Sequence, residues 1–182
     1  GGEAARHAET FGRISREALR TVPSAQEDAG TLPFARDIAV VTGASEKSIA
    51  GQVAAQLLAG GATVIATSYS FDTGFIQWAK EIYRTHAAGE ARLWIVPANL
   101  SSYRDVDALA AWVGNEQKET HGATTTVVKP AYAPTLLFPF AAPGVHGTLS
   151  DSGELFESQA RLMLWGVERL ISRLGVLGAD TD

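Results

Sequence analysis

A four-residue apolar run, Ile38-Ala39-Val40-Val41, β-branched at three of its four positions, leads through Thr42-Gly43-Ala44-Ser45 into a helical pattern. No other stretch constrains the fold as strongly. Apolar residues without polar alternation suit a strand covered on both faces, which implies a sheet with helices on either side. Residues 48–59 carry Ile49, Val53 and Leu57 four apart with Ala50 and Ala54 beside them, and Gly60-Gly61 closes the segment as a helix C-cap does. Gly43 permits a tight reversal between strand and helix, and its small neighbours let backbone amides approach an anion at the helix N-terminus.

The unit recurs. Thr63 to Thr67 is a second strand, and Phe75, Trp78, Ala79, Ile82 and Tyr83 mark one face of a second helix. Leu93 to Val96 is a third strand. Ser102 with Asp105 three residues later reads as a capping pair ahead of a third helix face at Val106, Leu109, Ala110 and Val113. Glu116-Gln117-Lys118-Glu119 reads as that helix's solvated end. The polar, Thr-rich chain from Gly122 to Pro134 reads as an irregular excursion or a short hairpin. Thr135 to Phe138 is a fourth strand, and residues 152–174 are a long helix carrying Leu155, Leu162, Trp165, Val167, Leu170 and Leu174.

This alternation predicts an α/β fold, a doubly wound parallel Rossmann-like sheet in the order 3-2-1-4. It leaves the fourth strand an unpaired apolar edge, so further strands are expected from sequence not present here or from a partner chain. Phe11, Ile14, Ala18, Leu19 and Val22 put an amphipathic helix over residues 6–22, followed by a polar linker through Gly30. The chain therefore divides into a helical appendage and linker, residues 1–33, and the main part, residues 34–182. It begins Gly1-Gly2-Glu3 without Met, as expected of a piece of a longer chain.

Composition removes other classes. Fifteen Lys and Arg against twenty Asp and Glu give a net charge of −5, so no general basic field exists to hold nucleic acid or an anionic membrane. The chain has no cysteine, which removes disulfide scaffolds, thiolate nucleophiles and sulfur-ligated zinc. No apolar run approaches the roughly 20 residues that span a bilayer, and residues 1–24 lack a signal-peptide core, so a soluble cytoplasmic protein is expected. His7, His86, His121 and His146 sit on unrelated segments and suggest no metal site. Trp78, Trp94, Trp112 and Trp165 are assigned to core packing.

The turn from Thr42 to Ala50 fits two readings: a dinucleotide site, or a glycine turn of the kind that joins strand to helix in any α/β protein, because the later glycines of a G-x-G-x-x-G string are missing. The second strand ends Thr67-Ser68-Tyr69-Ser70, without the carboxylate that usually grips the ribose hydroxyls of NAD. That leaves room for the 2′-phosphate of NADP. Lys47 is either the cation that pairs with this phosphate, helped by the hydroxyls of Ser45, Ser68 and Ser70, or a solvated surface lysine. Asn99, after the third strand, is either a hydrogen-bonding partner for an adenine edge or a turn asparagine. Ala141 and Ala142 are small enough for the nicotinamide ribose to lie over them. The candidate contacts are thus Thr42, Gly43, Ser45, Lys47, Ser48, Ile49, Ser68, Ser70, Asn99, Leu100, Ala141 and Ala142.

Phe34 to Ala50, FARDIAVVTGASEKSIA, resembles the start of the ketoreductase domain of type I fatty acid synthases, a divergent branch of the short-chain dehydrogenase/reductase superfamily. Similar stretches run on from there: GGATVIATS at 60–68, LWIVPANLSS at 93–102, AWVGNEQ at 111–117, TLLFPFAAP at 135–143 and LMLWGVERLISRLG at 162–175. The resemblance runs over residues 34–182, and the actinobacterial form is the closer. It implies NADPH-dependent reduction of 3-ketoacyl groups on an acyl carrier protein to the 3-hydroxyacyl form. It also implies other domains of the same synthase as partners, and a homohexamer.

The departures are specific. The family usually has glycine where Lys47 stands and commonly arginine where Ser70 stands. Its reductases use a serine and a Tyr-x-x-x-Lys pair, whereas Tyr69, Tyr83, Tyr103 and Tyr132 are followed four positions on by Thr73, Ala87, Asp107 and Leu136. The catalytic groups are therefore expected beyond Asp182, and Gly166 stands near the place of the superfamily's active-site asparagine. Two other functions fit: a scaffold module of the synthase that has lost NADPH binding, and an enoyl reductase of the same superfamily, suggested by Ser48-Ile49-Ala50. The TLLFPFAAP stretch favours the ketoreductase.

Overall fold

The computed structural model describes residues 31–69, 71–122, 124–140 and 152–179. The chain divides into two compact units, Gly1–Pro33 and Phe34–Asp182, and every element described below belongs to the second. The helix expected at 6–22 lies outside the described residues.

β1 (Ile38–Thr42) forms because its alternate side chains each have a core to enter. Ala39 and Val41 face one side, with Val64 and Ala66 of β2 (Thr63–Ser68) and with Ala54, Leu57 and Leu58 of α1 (Ile49–Ala59). Val40 faces the other side, with Ile65 of β2 and with Val106, Leu109 and Val113 of α3 (Tyr103–Gly114). α2 (Thr73–His86) lies between β2 and β3 (Arg92–Pro97) in sequence and adds Ile82 to the first core.

β4 (Gln117–His121) and β5 (Thr124–Lys129) pair only with each other, and β6 (Leu136–Pro139) returns to the main sheet. That sheet is parallel throughout, in the order β3-β2-β1-β6, with Val40 level with Ile65 on one side and Leu137 on the other. Counting the strands of this sheet alone, the order is the 3-2-1-4 expected.

After β6 the described chain resumes as one long helical run: α4 (Ser152–Ala160), a π-helical turn (Arg161–Trp165) and α5 (Gly166–Ala179). Leu170 and Leu174 of α5 close the second core. Each of the first three helices opens on a side-chain cap, from Ser48, Asp72 and Ser102 to the amides of Gly51, Phe75 and Asp105. The Ser102–Asp105 pair is the one expected.

Three differences from the sequence reading have physical causes. Residues 116–119 are not a helix end: α3 stops at Gly114, Asn115 is extended, and the chain turns into β4. The hairpin therefore spans 117–129, beginning before the polar stretch that announced it. Lys129 holds it to α3 from full burial, donating to the carbonyls of Val113, Asn115 and Pro130 at 3.1, 2.8 and 2.7 Å. The rings of Trp112 and Tyr132 flank the same ammonium at 4.7 Å. The long helix runs through the π turn unbroken, and Trp165 on that turn is 43% exposed instead of packed in the core. Gly166, next in the chain, lets the helix pass close to the Leu100 carbonyl, since a Cβ there would lie 2.1 Å from its oxygen. α5 is clamped to α3 by Asp107, which accepts from Arg169 and Arg173, and Arg169 also stacks over Tyr103.

Candidate cofactor site

In a parallel sheet the loops leaving the carboxyl ends of adjacent strands meet in one row, and open α/β proteins bind ligands there. Three such loops are described. The first leaves β1 through Gly43, whose φ of +67° is a left-handed conformation that favours glycine. The amide of Ala44 then donates to the Thr67 carbonyl at 3.0 Å, tying this loop to the end of β2.

Ser48 builds the turn that comes next. Its hydroxyl accepts from the amides of Ser45 and Gly51 at 2.9 and 3.0 Å and donates to the Ser45 carbonyl at 3.0 Å. One donor and two acceptor positions are thereby filled, so Ser48 shapes the turn and its side chain has nothing left for a phosphate. The amides of Ile49 and Ala50, first in α1, have no intrahelical acceptor at the positive end of the helix, and Ala50 is buried there. Ile49 itself is 70% exposed, an apolar side chain at that end.

Gly51 was not among the residues singled out from sequence, yet the turn depends on it. A Cβ there would sit 2.2 Å from the Ser45 carbonyl oxygen and 3.0 Å from the Trp78 ring. Gly51 thus lets the first turn of α1 close against the loop. The signal available was its position three residues after the cap.

Of the remaining candidates, Ser45 and Lys47 are exposed on the turn, and Lys47 has no ion pair among the described residues. Ser68 is half-buried at the end of β2, followed by Tyr69, which is 82% exposed. Thr42 is fully buried and Leu100 nearly so, with the Leu100 side chain in the second core, so neither side chain can reach a ligand. Ser70, Ala141 and Ala142 lie outside the described residues.

Asn99 does what a turn asparagine does: its Oδ1 accepts from the amide and hydroxyl of Ser101 at 3.0 and 2.6 Å. Its own amide donates to Asp105 at 3.2 Å. The side-chain NH2 has no hydrogen-bond partner among the described residues, and Asn99 lines a cleft of about 590 Å3 together with Tyr69, Ala98, Asp105, Leu109 and Trp112. The two readings of Asn99 are therefore compatible, the oxygen holding the loop and the nitrogen open to the cleft. The structure brings Tyr69 and Asn99 to one cleft and places Ser45, Lys47 and Ile49 together on the neighbouring turn.

Sheet order, glycine turn and flanking helices make a Rossmann-like α/β fold, one shared with solved short-chain dehydrogenases/reductases. L-Sorbose reductase from Gluconobacter frateurii, solved with NADPH and L-sorbose, superposes with a TM-score of 0.63 at 18% identity, over 80% of this chain and 49% of that one. A metagenomic short-chain oxidoreductase solved with NADP gives 0.60 at 21% identity, over 78% of this chain and 56% of that one.

By sequence the chain is a fatty acid synthase relative, matching one segment of the alpha subunit. Identity is 32% over 148 residues to fatty acid synthase subunit alpha of Schizosaccharomyces pombe and 30% over 141 residues to that of Candida parapsilosis, 79% and 77% of this chain. The chain spans 8% and 7% of the length of those two relatives. No protein-family model matches it. Among the described residues no helix is long and apolar enough to cross a membrane.

Proposed function

We propose that this chain is the cofactor-binding part of a 3-oxoacyl reductase module in a fatty acid synthase, which uses NADPH to reduce 3-ketoacyl groups carried on an acyl carrier protein. The observation that carries this reading is the row at the carboxyl ends of the strands. The Gly43 turn and the N-terminal end of α1 stand past β1, exposed Tyr69 past β2, and the Asn99 cleft past β3. A pyrophosphate at the first and an adenosine at the second and third match that row. The NADPH and NADP bound to two similarly folded reductases support a nicotinamide cofactor here.

When bound, the cofactor would supply the hydride for ketone reduction. This chain's own residues bind and orient it: amides of the α1 turn on the pyrophosphate, Ser45 and Lys47 toward the 2′-phosphate, Tyr69 and Asn99 at the adenine. The reading assigns the proton donor to residues outside the 182, because no tyrosine here has a lysine four positions on. It also implies neighbouring synthase domains as partners and a hexameric assembly.

A fluorescence titration of the full chain with NADPH and NADH tests it. NADPH binds more tightly, Lys47→Ala weakens NADPH about tenfold while leaving NADH unchanged, and Ser70→Arg tightens NADPH, the sizes expected of one charge-assisted contact. Failure to bind either nucleotide would sink the reading and leave the scaffold function in front.

A further inference from the structure

β3 has a partner on one side only. The amides of Arg92 and Ala98 donate to Ala62 and Ser68 of the β2 side, at 3.3 and 3.2 Å. Alternation along a strand then turns the amides and carbonyls of Leu93 and Ile95 outward, where no described strand meets them. Along this edge, between β3 and α2, runs a groove of about 340 Å3 walled by Ile76, Tyr83, Leu93 and Ile95. The Tyr83 wall is held in place by its hydroxyl, which donates to the Ala91 carbonyl at 3.1 Å.

Lys80 and Arg92 line the same groove. Both are exposed, and neither has an ion pair among the described residues. An edge strand that only has to avoid sticking needs charge or proline, and Pro97 already ends this one that way. An apolar wall between two unpaired cations, beside two free backbone donors and two free acceptors, has the complementarity of an acidic extended segment.

We propose that the β3 edge takes an extended acidic segment of a neighbouring polypeptide as an added strand. Its backbone bonds to Leu93 and Ile95, its apolar side chains enter the groove, and its carboxylates meet Lys80 and Arg92. The inference stands apart from the nucleotide reading, because no residue assigned there to the cofactor lines this groove.

The test titrates the isotope-labelled full chain with the blocked peptide Glu-Val-Thr-Val-Thr-Glu, and with Lys-Val-Thr-Val-Thr-Lys as the opposite-charge control. The acidic peptide is expected to bind saturably and to slow amide exchange at Leu93 and Ile95, with Trp94, already turned toward β2, unaffected. Lys80→Glu or Arg92→Glu weakens it about tenfold or more, and the double reversal accepts the lysine peptide. Both side chains are exposed, so the fold is expected to survive; Lys80→Gln and Arg92→Gln serve if a reversal does not fold. Absence of saturable binding, indifference to both charge changes, or protection at other amides overturns the proposal.

Discussion

Ser48 and Gly51 show how a binding turn is built from residues that need not touch a ligand. Replacing Ser48 with alanine removes the cap on Gly51 and the two bonds to Ser45, so the chain should lose about 1–2 kcal/mol in urea denaturation. Gly51→Ala forces a methyl to within 2.2 Å of the Ser45 carbonyl, a backbone atom that can yield only by reshaping the turn. The expected cost is about 1–3 kcal/mol, together with weaker NADPH binding even where the variant remains folded. Gly51→Ser should behave like the alanine variant, since any Cβ meets the same oxygen. Part of this site was legible in the sequence: Gly43 makes the tight turn that its residue type suggested, while Ser48, read as a candidate contact, is the helix cap. The division of labour was not, because whether a hydroxyl is spent on the backbone or left for a ligand depends on how tightly the turn closes.

At the scale of elements, the hairpin shows what the sequence conceals. Two strands alone are marginal, and β4–β5 is mostly exposed polar chain. What anchors it is Lys129, whose residue type argues for the surface and whose surroundings are three carbonyls and two aromatic rings. Nothing in a local pattern announces a buried lysine, which is why a helix end was expected at 116–119 and the choice between an irregular excursion and a short hairpin stayed open beyond it. Lys129→Met leaves those carbonyls without their donor and should cost about 2–4 kcal/mol, with the hairpin amides exchanging faster. The pH dependence separates this from a packing defect. Burial pushes the Lys129 ammonium below the ordinary lysine value of 10.5. In the interval between its folded value and 10.5 the unfolded chain binds more protons than the folded one, so stability rises with pH. The wild type should show that rise in alkaline denaturation curves, and Lys129→Met should lack it. Asp107 works in the opposite direction. Its hydrogen bond from Arg169, aided by Arg173, holds the carboxyl below the ordinary 3.8 despite an opposing contribution from desolvation. The clamp between α3 and α5 is therefore complete above 3.8 and is lost as pH falls through the lower folded value. In acid denaturation Asp107→Asn should lose less stability than the wild type as pH falls, while remaining less stable near neutrality.

For the molecule as a whole, the parallel order of the sheet could be read in advance because three strands are short, unbroken and β-branched, and each is followed by a helix of clear period. In β1 and β2 those features are dictated by burial on both faces, a property of nearly every residue in the strand and not of one contact. The same global arrangement yields a prediction that does not depend on any single side chain. If the carboxyl-end row holds a dinucleotide, binding links three separate loops, those after β1, β2 and β3, and should stabilise them together. At a free NADPH concentration about 100 times its dissociation constant, unfolding should become harder by about 2.7 kcal/mol. Amide exchange should slow concurrently at 44–51, at 68–69 and at 98–102. Adenosine 2′,5′-bisphosphate, which carries the base, ribose, 2′-phosphate and 5′-phosphate without the nicotinamide, should protect all three loops as well. NADH at equal concentration should protect less throughout. Protection confined to the α1 turn would mean a simple anion at a helix N-terminus, and the row past β2 and β3 would then have no part in binding.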